Sequence, residues 1–240
     1  MDQRSDGYRI HPHGDLIPLS SNLWYVEGVI RMPLGSLRRN MVVYRLPGGE
    51  LLLHSVVAMR EEGMKALEAL GRPAYMVVPS GGHRLDAGFY KRRYPAIRVL
   101  GPARGRAKIE EVIKLDATEE DALPPLGIAV HPVHGMRPTM GENGLLVDVD
   151  GGKALILNDA IGGAIDASAR NLMTRLLGPP RYAVGIARAV RWVAMTDKSA
   201  VKGSLSQLAE IPALKLLTVS HGLPVRERVS DAIRAAAAQL

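Results

Sequence analysis

The chain has 240 residues, 47% of them hydrophobic, no cysteine, and a formal net charge of +7. This length and composition fit one large globular domain with a substantial buried core. The lack of cysteine excludes disulfides, thiolate metal ligands and a cysteine nucleophile. The first residues contain no apolar signal-peptide region, and Arg188 and Arg191 interrupt the apolar stretch 182–195. We therefore expect a soluble cytoplasmic protein without a membrane span.

Basic residues are concentrated in three short runs, at Arg38-Arg39, Lys91 to Arg93 and Arg104 to Lys108. These runs predict a surface that attracts phosphates or an acidic partner. Aromatic residues make up only 4% of the chain, which leaves few stacking platforms for single strands, and no helix has the character of a basic recognition helix. We expect a small-molecule substrate or an anionic ligand as the partner in preference to nucleic acid.

Residues 1–20 show little periodicity and predict an irregular lead-in to a single domain at 21–240. The lead-in contains His11 and His13, whose side chains would share a face in an extended chain. They are interpreted either as a metal-binding arm or, more simply, as part of an exposed tail.

The next segments predict a β-hairpin followed by a helix. Residues 22–30 and 41–46 are rich in β-branched and aromatic side chains, and Pro47-Gly48-Gly49 turns the chain into a strand that ends at His54. His54 is a candidate catalytic residue or, alternatively, a hydrogen-bonded structural group. Residues 60–70 then have the period of an amphipathic helix.

A glycine-containing loop, Ser80-Gly81-Gly82, follows a short apolar strand at 75–78 and precedes a predicted helix at 85–93. Backbone N–H groups of such a loop can approach an anion, so Ser80, Gly82 and Arg84 are candidate ligand-binding residues, with a plain turn as the alternative. His83 lies in the same loop and is a second candidate catalytic residue.

The second half of the chain continues to alternate strands and helices. The pattern predicts strands at 96–100, at 128–130, on both sides of the turn Asp150-Gly151-Gly152, and at 214–219. It predicts a basic surface loop at 101–108, a helix capped by Asp166 or Ser168 and ending at Leu177, and helices at 183–195, 198–211 and 227–240.

Three polar side chains follow apolar strands in this half: His134, Asp159 and His221. A sheet fixes the side chains at its strand ends, and imidazole and carboxylate are the usual ligands of a borderline divalent metal. The three residues are therefore candidate metal ligands. The alternative is that they hydrogen-bond to one another without a metal.

The order of these motifs resembles a known superfamily. His134 before a glycine-containing loop, Asp159 after an apolar strand and His221-Gly222 after another are similar to the later metal motifs of the metallo-beta-lactamase fold superfamily, as is the closing run from Asp197 to Pro224. The resemblance implies an α/β fold, a four-layer αββα sandwich of two mixed sheets with outer helices.

The first metal motif of that superfamily, HxHxDH, is replaced here by the run from Ser80 to Leu85. In register, Ser80 and Gly82 occupy the first two histidine positions, Arg84 the aspartate position and Leu85 the third histidine position. The resemblance therefore implies a divergent member with a degenerate active site and no dinuclear zinc centre. One zinc, iron or manganese ion could still bind His134, Asp159 and His221, with His54 or His83 as a fourth ligand or a base.

Three functions follow from these patterns. The first is a metal-dependent hydrolase with an atypical, mononuclear centre that acts on an ester, amide or phosphoester. The second is a non-catalytic relative that binds a small anionic ligand through the loop at 80–82 and Arg84, because a guanidinium repels a divalent cation and attracts carboxylate or phosphate. The third is a basic nucleic-acid-binding relative.

Overall fold

The computed structural model describes residues 3–5 and 8–240. Within these residues, thirteen strands form three sheets. A small antiparallel hairpin comes first, formed by β1 (Gln3–Ser5) and β2 (Tyr8–Ile10). Seven strands then form one sheet in chain order: β3 (Ile17–Ser20), β4 (Leu23–Met32), β5 (Gly35–Arg45), β6 (Glu50–His54), β7 (Arg72–Val77), β8 (Arg98–Gly101) and β9 (Ala117–Thr118). Four more form the other: β10 (Ala129–Pro132), β11 (Asn143–Val149), β12 (Gly152–Ile156) and β13 (Leu214–Thr218).

Both large sheets are mixed. Strands β3 to β6 pair antiparallel, whereas β6 to β9 pair parallel. In the second sheet β10 to β12 pair antiparallel, and β12 pairs parallel with β13. Parallel neighbours end at the same edge of a sheet, so the segments after β6 and β7, and those after β12 and β13, emerge together.

The helices lie between and after these strands. They are α1 (Glu61–Leu70), α2 (Ala87–Arg93), α3 (Arg106–Ile109), α4 (Glu119–Ala122), α5 (Leu172–Leu177), α6 (Lys198–Ala209) and α7 (Val229–Ala237). Asn171 caps α5 in a capping box with Thr174, a pattern that satisfies two free backbone N–H groups at once.

Strand alternation distributes the apolar side chains over three core layers. Leu51 and Leu53 pack in the cluster that contains Met64 and Leu67 of α1, while Leu52 packs in the cluster between the sheets. That central cluster also contains side chains of the second sheet, among them Leu145, Val147 and Ile156. A third cluster joins the opposite face of the second sheet to α6 and α7, through residues such as Leu155, Leu205 and Ile233. The predicted αββα sandwich of two mixed sheets with outer helices is thus confirmed.

The lead-in differs from the prediction. Residues 17–20 pair with β4 as the first strand of the large sheet, and Leu19 is buried in the central core. His13 Nε2 accepts a hydrogen bond from the Arg60 backbone N–H at 2.8 Å, which ties this segment to the start of α1. Residues 1, 2, 6 and 7 of the lead-in lie outside the described residues.

The predicted helix at 183–195 is correct only in its second half. Residues 188–194 are helical, with π geometry over Val190–Ala194. Earlier backbone groups bond elsewhere: Gly185 exchanges hydrogen bonds with Gly162, and the Ile186 N–H donates to Gln239 Oε1 at 2.9 Å. The apolar residues of this stretch therefore pack in an irregular segment.

Two other expectations are also corrected. The basic loop at 101–108 contains the 3-10 helix Ala103–Gly105 and the start of α3. Asp166 caps only the 3-10 turn Ala167–Ala169. In residues 3–5 and 8–240, no helix has both the length and the apolar character needed to cross a membrane.

Candidate metal centre

Three side chains meet where the two large sheets end: His83, Asp159 and His221. One ligand atom from each lies within 4.8 Å of the others. His83 Nε2 is 3.3 Å from Asp159 Oδ2, and His221 Nε2 is 3.4 Å from Asp159 Oδ1. The carboxylate therefore stands between two imidazoles and presents one oxygen to each.

Each of these residues lies in a loop that follows a strand. His83 follows β7, Asp159 follows β12 and His221 follows β13. Asn40 of β5 fixes the last turn, because its side-chain amide donates to the carbonyls of Val219 at 2.8 Å and Gly222 at 2.7 Å. The buried Asn40 thus joins the first sheet to the loop that carries His221.

The His221 ring is oriented by the backbone of β5. Its Nδ1 lies 2.6 Å from the carbonyl oxygen of Arg38, which can only accept, so Nδ1 carries a proton. When the ring is neutral, Nε2 therefore presents a lone pair to the Asp159 carboxylate. This pair of acceptors is stable only with a cation between them, and that cation is either a proton or a metal ion.

A proton shared between His221 and Asp159 is reflected in the pKa values of both residues. Burial would lower the pKa of His221, but the hydrogen bond with Asp159 and the charge of that carboxylate outweigh it and raise the pKa. Likewise, burial would raise the pKa of Asp159, but the charges and hydrogen bonds of His83 and His221 outweigh it and lower the pKa. Asp159 is thus ionised at neutral pH.

His83 is oriented in the same manner by a side chain. Its Nδ1 lies 2.8 Å from Ser55 Oγ. Ser55 directly follows β6 and has a φ of 56°, a left-handed conformation uncommon for a serine. Such a backbone turn is often found at functional sites, where surrounding contacts hold it.

A buried polar network supports Asp159. Asn158 donates from Nδ2 to Asp159 Oδ2 at 2.9 Å and to Ser80 Oγ at 3.4 Å. Ser220 Oγ donates in turn to Asn158 Oδ1 at 2.5 Å. All four side chains are buried. Residues that orient the ligands of a metal in this way raise its affinity.

Glu142 holds the backbone of the same turn. Its carboxylate accepts hydrogen bonds from the backbone N–H groups of Asn158, Asp159 and Ala160, at 3.1, 2.7 and 3.0 Å. Burial, followed by the negative charge of Asp159, raises the pKa of Glu142 to about 8, although the three N–H groups act in the opposite direction. The buried Glu142 carboxyl therefore holds the backbone from which the Asp159 side chain extends toward the two imidazoles.

His54, the first candidate catalytic residue, is 1% exposed, and its Nε2 has no hydrogen-bond partner among the described residues. Burial, followed by the charge of His83, lowers the pKa of His54 to about 3, against the effect of Asp159. His54 is therefore a neutral imidazole near the cluster, and its catalytic role stays a prediction.

This pKa has a consequence for stability. An unfolded histidine takes up a proton as the pH falls below about 6.5, whereas folded His54 does so only near 3. Its contribution is therefore complete above pH 6.5 and is lost as the pH falls toward 3. Between pH 7 and pH 5 we expect the free energy of unfolding to fall by about 2 kcal/mol through this group. Urea titrations of the wild type and His54→Gln would measure the difference.

The matched control for that experiment is His134→Gln, because His134 is exposed. It should keep the full pH dependence of the wild type. An unchanged pH dependence in His54→Gln would contradict the assignment of the effect to His54.

The structure does not bring His134 to the cluster. Val133 is 1% exposed and packs in the core, whereas His134 lies in the turn after β10 and is exposed. The His134 N–H donates to Ser204 Oγ of α6 at 3.0 Å, which fixes this arrangement. His83 takes the third place in the cluster.

The predicted anion-binding loop is also used internally. The N–H groups of Gly81, Gly82 and His83 donate to Thr139 O, Ser80 Oγ and Ser80 O. Arg84 donates to the Lys108 carbonyl and to Glu111 Oε2. Ser80 is fully buried and belongs to the network that supports Asp159. Ser80, Gly82 and Arg84 therefore form hydrogen bonds within the protein, and Gly82 also lines a cavity beside the cluster.

A cavity of about 370 Å³ adjoins the cluster. His83, Asp159 and His221 form part of its wall, and most of the other lining residues are apolar. Arg38 also lines it, and its guanidinium donates to Glu27 Oε1 at 2.7 Å and to Ser168 Oγ at 2.8 Å. An apolar cavity with a few convergent polar groups is the usual form of a small-molecule site.

Sequence reasoning missed the residues that support the cluster. Glu142 stands in a segment interpreted as a turn, Arg38 in a run interpreted as a basic surface, and Ser55 in a strand end. None has a local sequence signal, because each acts on a partner more than 15 residues away. The nearest signal in the sequence is the pair Gly141 and Gly144 around Glu142, which predicts a turn but no role for the acid.

The donor set fits one divalent metal ion. Zinc–nitrogen and zinc–oxygen bonds of about 2.1 Å in tetrahedral geometry require ligand atoms about 3.4 Å apart. The two imidazole–carboxylate separations, 3.3 Å to Asp159 Oδ2 and 3.4 Å to Asp159 Oδ1, are close to that spacing, and one ligand atom from each of the three residues lies within 4.8 Å of the others. Each imidazole also bonds through its other nitrogen to an oxygen, which is the usual support of a metal-bound histidine.

Comparison with known proteins gives a structural likeness alone. No protein-family profile matches the chain, and no curated protein sequence matches it. The metallo-beta-lactamase FIM-1 from Pseudomonas aeruginosa, in its mono-zinc form, superposes with a TM-score of 0.61 at 11% identity, over 93% of this chain and 94% of that one. The metallo-beta-lactamase from Erythrobacter litoralis gives 0.63 at 13% identity, over 94% and 96%.

The metallo-beta-lactamase DIM-1 also gives a TM-score of 0.63, at 14% identity, over 95% of this chain and 99% of that one. Identities this low carry no statement about activity, but the superposition extends over nearly the whole of both chains. The layers, the strand order and these superpositions agree, and the chain has the metallo-beta-lactamase fold.

Proposed function

We propose that the chain is a hydrolase that uses one divalent metal ion, held by His83, Asp159 and His221, to cleave an ester or amide. The observation that carries the proposal is the pair of acceptors at His221 Nε2 and Asp159 Oδ1, 3.4 Å apart beside the cavity. Three protein ligands with one open position are a sufficient catalytic set for zinc. The mono-zinc form of FIM-1 supports a single ion on this fold.

The bound ion would supply Lewis acidity to the hydrolysis. The residues of the chain contribute orientation and exclusion of water. Arg38 O and Ser55 Oγ hold the two imidazoles, and Asn158 holds the carboxylate. The apolar wall of the cavity lowers the local dielectric constant, which strengthens every charge interaction with a developing oxyanion.

An ester or amide suits the wall better than a phosphoester. Apart from the three residues proposed to hold the metal ion, the only basic side chain in the described lining is Arg38, and Glu27 already neutralises it. A phosphoester is itself negatively charged, and the carboxylates of Asp159, Glu27 and Asp166 in the same wall would repel it. The geometry also gives little support to the alternative function, binding of a small anion at the loop 80–82. Arg84 and the N–H groups at 81–83 already bond to other parts of the protein.

The metal content of the purified protein tests the proposal. We expect close to one equivalent of zinc, iron or manganese by elemental analysis in the wild type and in His134→Gln. In His83→Gln, loss of one ligand should lower the affinity by roughly a hundredfold or more, because even residues behind the ligands contribute 10- to 100-fold.

His134→Gln is the matched control, since it removes an exposed imidazole that also follows a strand. Wild-type protein without metal, together with an unchanged melting temperature after addition of divalent ions, would contradict the proposal. The cation between His221 and Asp159 would then be a proton.

A further inference from the structure

The lining of the cavity beside the metal centre is mostly hydrocarbon. Met32, Leu37, Ile165, Met173, Leu177 and Leu223 contribute side chains to it. Its volume of about 370 Å³ falls in the range of small-molecule pockets. A ligand that fills this space therefore exchanges water for aliphatic contacts over most of its surface.

Most polar groups in the wall are already bonded to the protein. Arg38 pairs with Glu27, Asp166 accepts from Ser168 at 2.5 and 2.8 Å, and Thr174 belongs to the capping box of α5. Within the described lining, His83, Asp159 and His221 are the polar side chains that converge on one point. The matching ligand has one polar group and an apolar remainder.

The rim of the cavity is apolar as well. Met32 and Leu34 stand at the β4–β5 turn, and Leu172, Leu176 and Leu177 belong to α5; all five are between 41% and 53% exposed. The two elements touch, because the Met173 N–H donates to the Leu34 carbonyl at 3.2 Å. Met32 and Leu177 also line the cavity itself, so the exposed patch continues into it. Exposed apolar patches of this kind mark binding grooves.

We propose that this cavity binds the hydrocarbon chain of an amphiphilic ester or amide whose carbonyl lies at His83, Asp159 and His221. The chain-binding part stands on the cavity alone, whereas the cleavage rests on the proposed hydrolase function. In that reaction the oxygen of water bonds to the acyl carbon, the bond from that carbon to the leaving oxygen or nitrogen breaks, and a proton passes to the leaving atom. The products are a carboxylate with the hydrocarbon chain and an alcohol or amine.

Binding of neutral straight-chain alcohols tests the inference, with 1-butanol, 1-hexanol, 1-octanol and 1-decanol as probes in calorimetry, because Glu27, Asp159 and Asp166 in the lining would repel a carboxylate. Burial of one methylene strengthens binding by about fourfold. The dissociation constant should therefore fall by about that factor per added carbon until the cavity is full, after which it levels off.

Two variants and a control locate the chain. Both Ala189 and Leu37, the latter near the start of β5, line the cavity. Ala189→Phe should make the series level off at a shorter chain, and Leu37→Ala at a longer one. Ala235→Phe makes the same change on the exposed side of α7, and it should leave the series unchanged. Opposite shifts in two variants cannot arise from a general loss of folding.

The same series in Asp159→Asn separates the two proposals. If the chain-length dependence persists in that variant and in the wild type while no ester is hydrolysed, the hydrolase function fails and the chain site stands. A dissociation constant that does not change from 1-butanol to 1-decanol in the wild type would overturn the chain site, whatever the hydrolysis assay shows.

Discussion

Asp159→Asn should lower kcat/KM for ester or amide hydrolysis by about a thousandfold. The change removes the negative charge that faces both imidazoles, at 3.3 and 3.4 Å, and leaves the size of the side chain unchanged. A metal ion contributes several kcal/mol of charge stabilisation to such a reaction, and each 1.36 kcal/mol corresponds to a factor of ten. Steady-state kinetics with a chromogenic ester would give the ratio, and elemental analysis of the same sample would show the loss of metal.

Asp15→Asn is the control for that variant. It removes an equal charge from an exposed side chain that does not line the cavity, so kcat/KM should change by less than about a factor of three, as surface substitutions have small effects. A normal rate in Asp159→Asn would rule out a catalytic centre at this cluster. It would also remove the chemical basis of the proposed function.

Arg39→Met should destabilise the fold by about 3–5 kcal/mol, the usual cost of breaking a buried ion pair from one side. Arg39 pairs with Asp86, and the two side chains are 5% and 4% exposed. The pair joins three elements: Arg39 lies in β5 and donates to the Val56 carbonyl at 3.1 Å, while Asp86 precedes α2 and accepts from the Ala58 N–H at 2.8 Å. Guanidinium denaturation at pH 7 would measure the change.

An exposed pair in the same sheet is the matched control. Arg72 pairs with Glu50, and the side chain of Arg72 is 67% exposed. Arg72→Met should therefore cost less than about 1 kcal/mol. Adding Asp86→Asn to Arg39→Met should restore part of the lost stability, because the carboxylate is no longer buried without a partner. Equal costs in the two single variants would show that burial does not determine the effect.

The sandwich was implied by the resemblance of the motifs at His134, Asp159 and His221 to a known superfamily, and the local pattern predicted many of its elements. Successive side chains of a strand point to opposite faces, so Leu51 and Leu53 pack in one layer and Leu52 in the next. The same local rules located the hairpin at 47–49, the helix after residue 198 and the last strand. The positions of Asp159 and His221 after strands follow from the same pattern.

The composition of the candidate centre needed the tertiary structure. His83, His134 and His221 all follow strands, and nothing in the local sequence says which rings meet. Parallel pairing of β6 with β7 brings Ser55 to His83, whereas His134 lies in an exposed turn whose backbone N–H donates to Ser204 Oγ of α6. Long-range pairing, rather than local preference, selects the three members.

What the sequence determined by itself is the position of most strands and turns, because hydrophobic period and turn chemistry are local properties of the chain. What only the tertiary structure decided is the chemistry of the cleft. Glu142 appeared to be part of a turn, and Arg38 part of a basic surface, until folding brought one to the backbone of Asp159 and the other to the ring of His221. Contacts between residues 17 and 183 positions apart depend on the packing of whole sheets, which no short window of sequence contains.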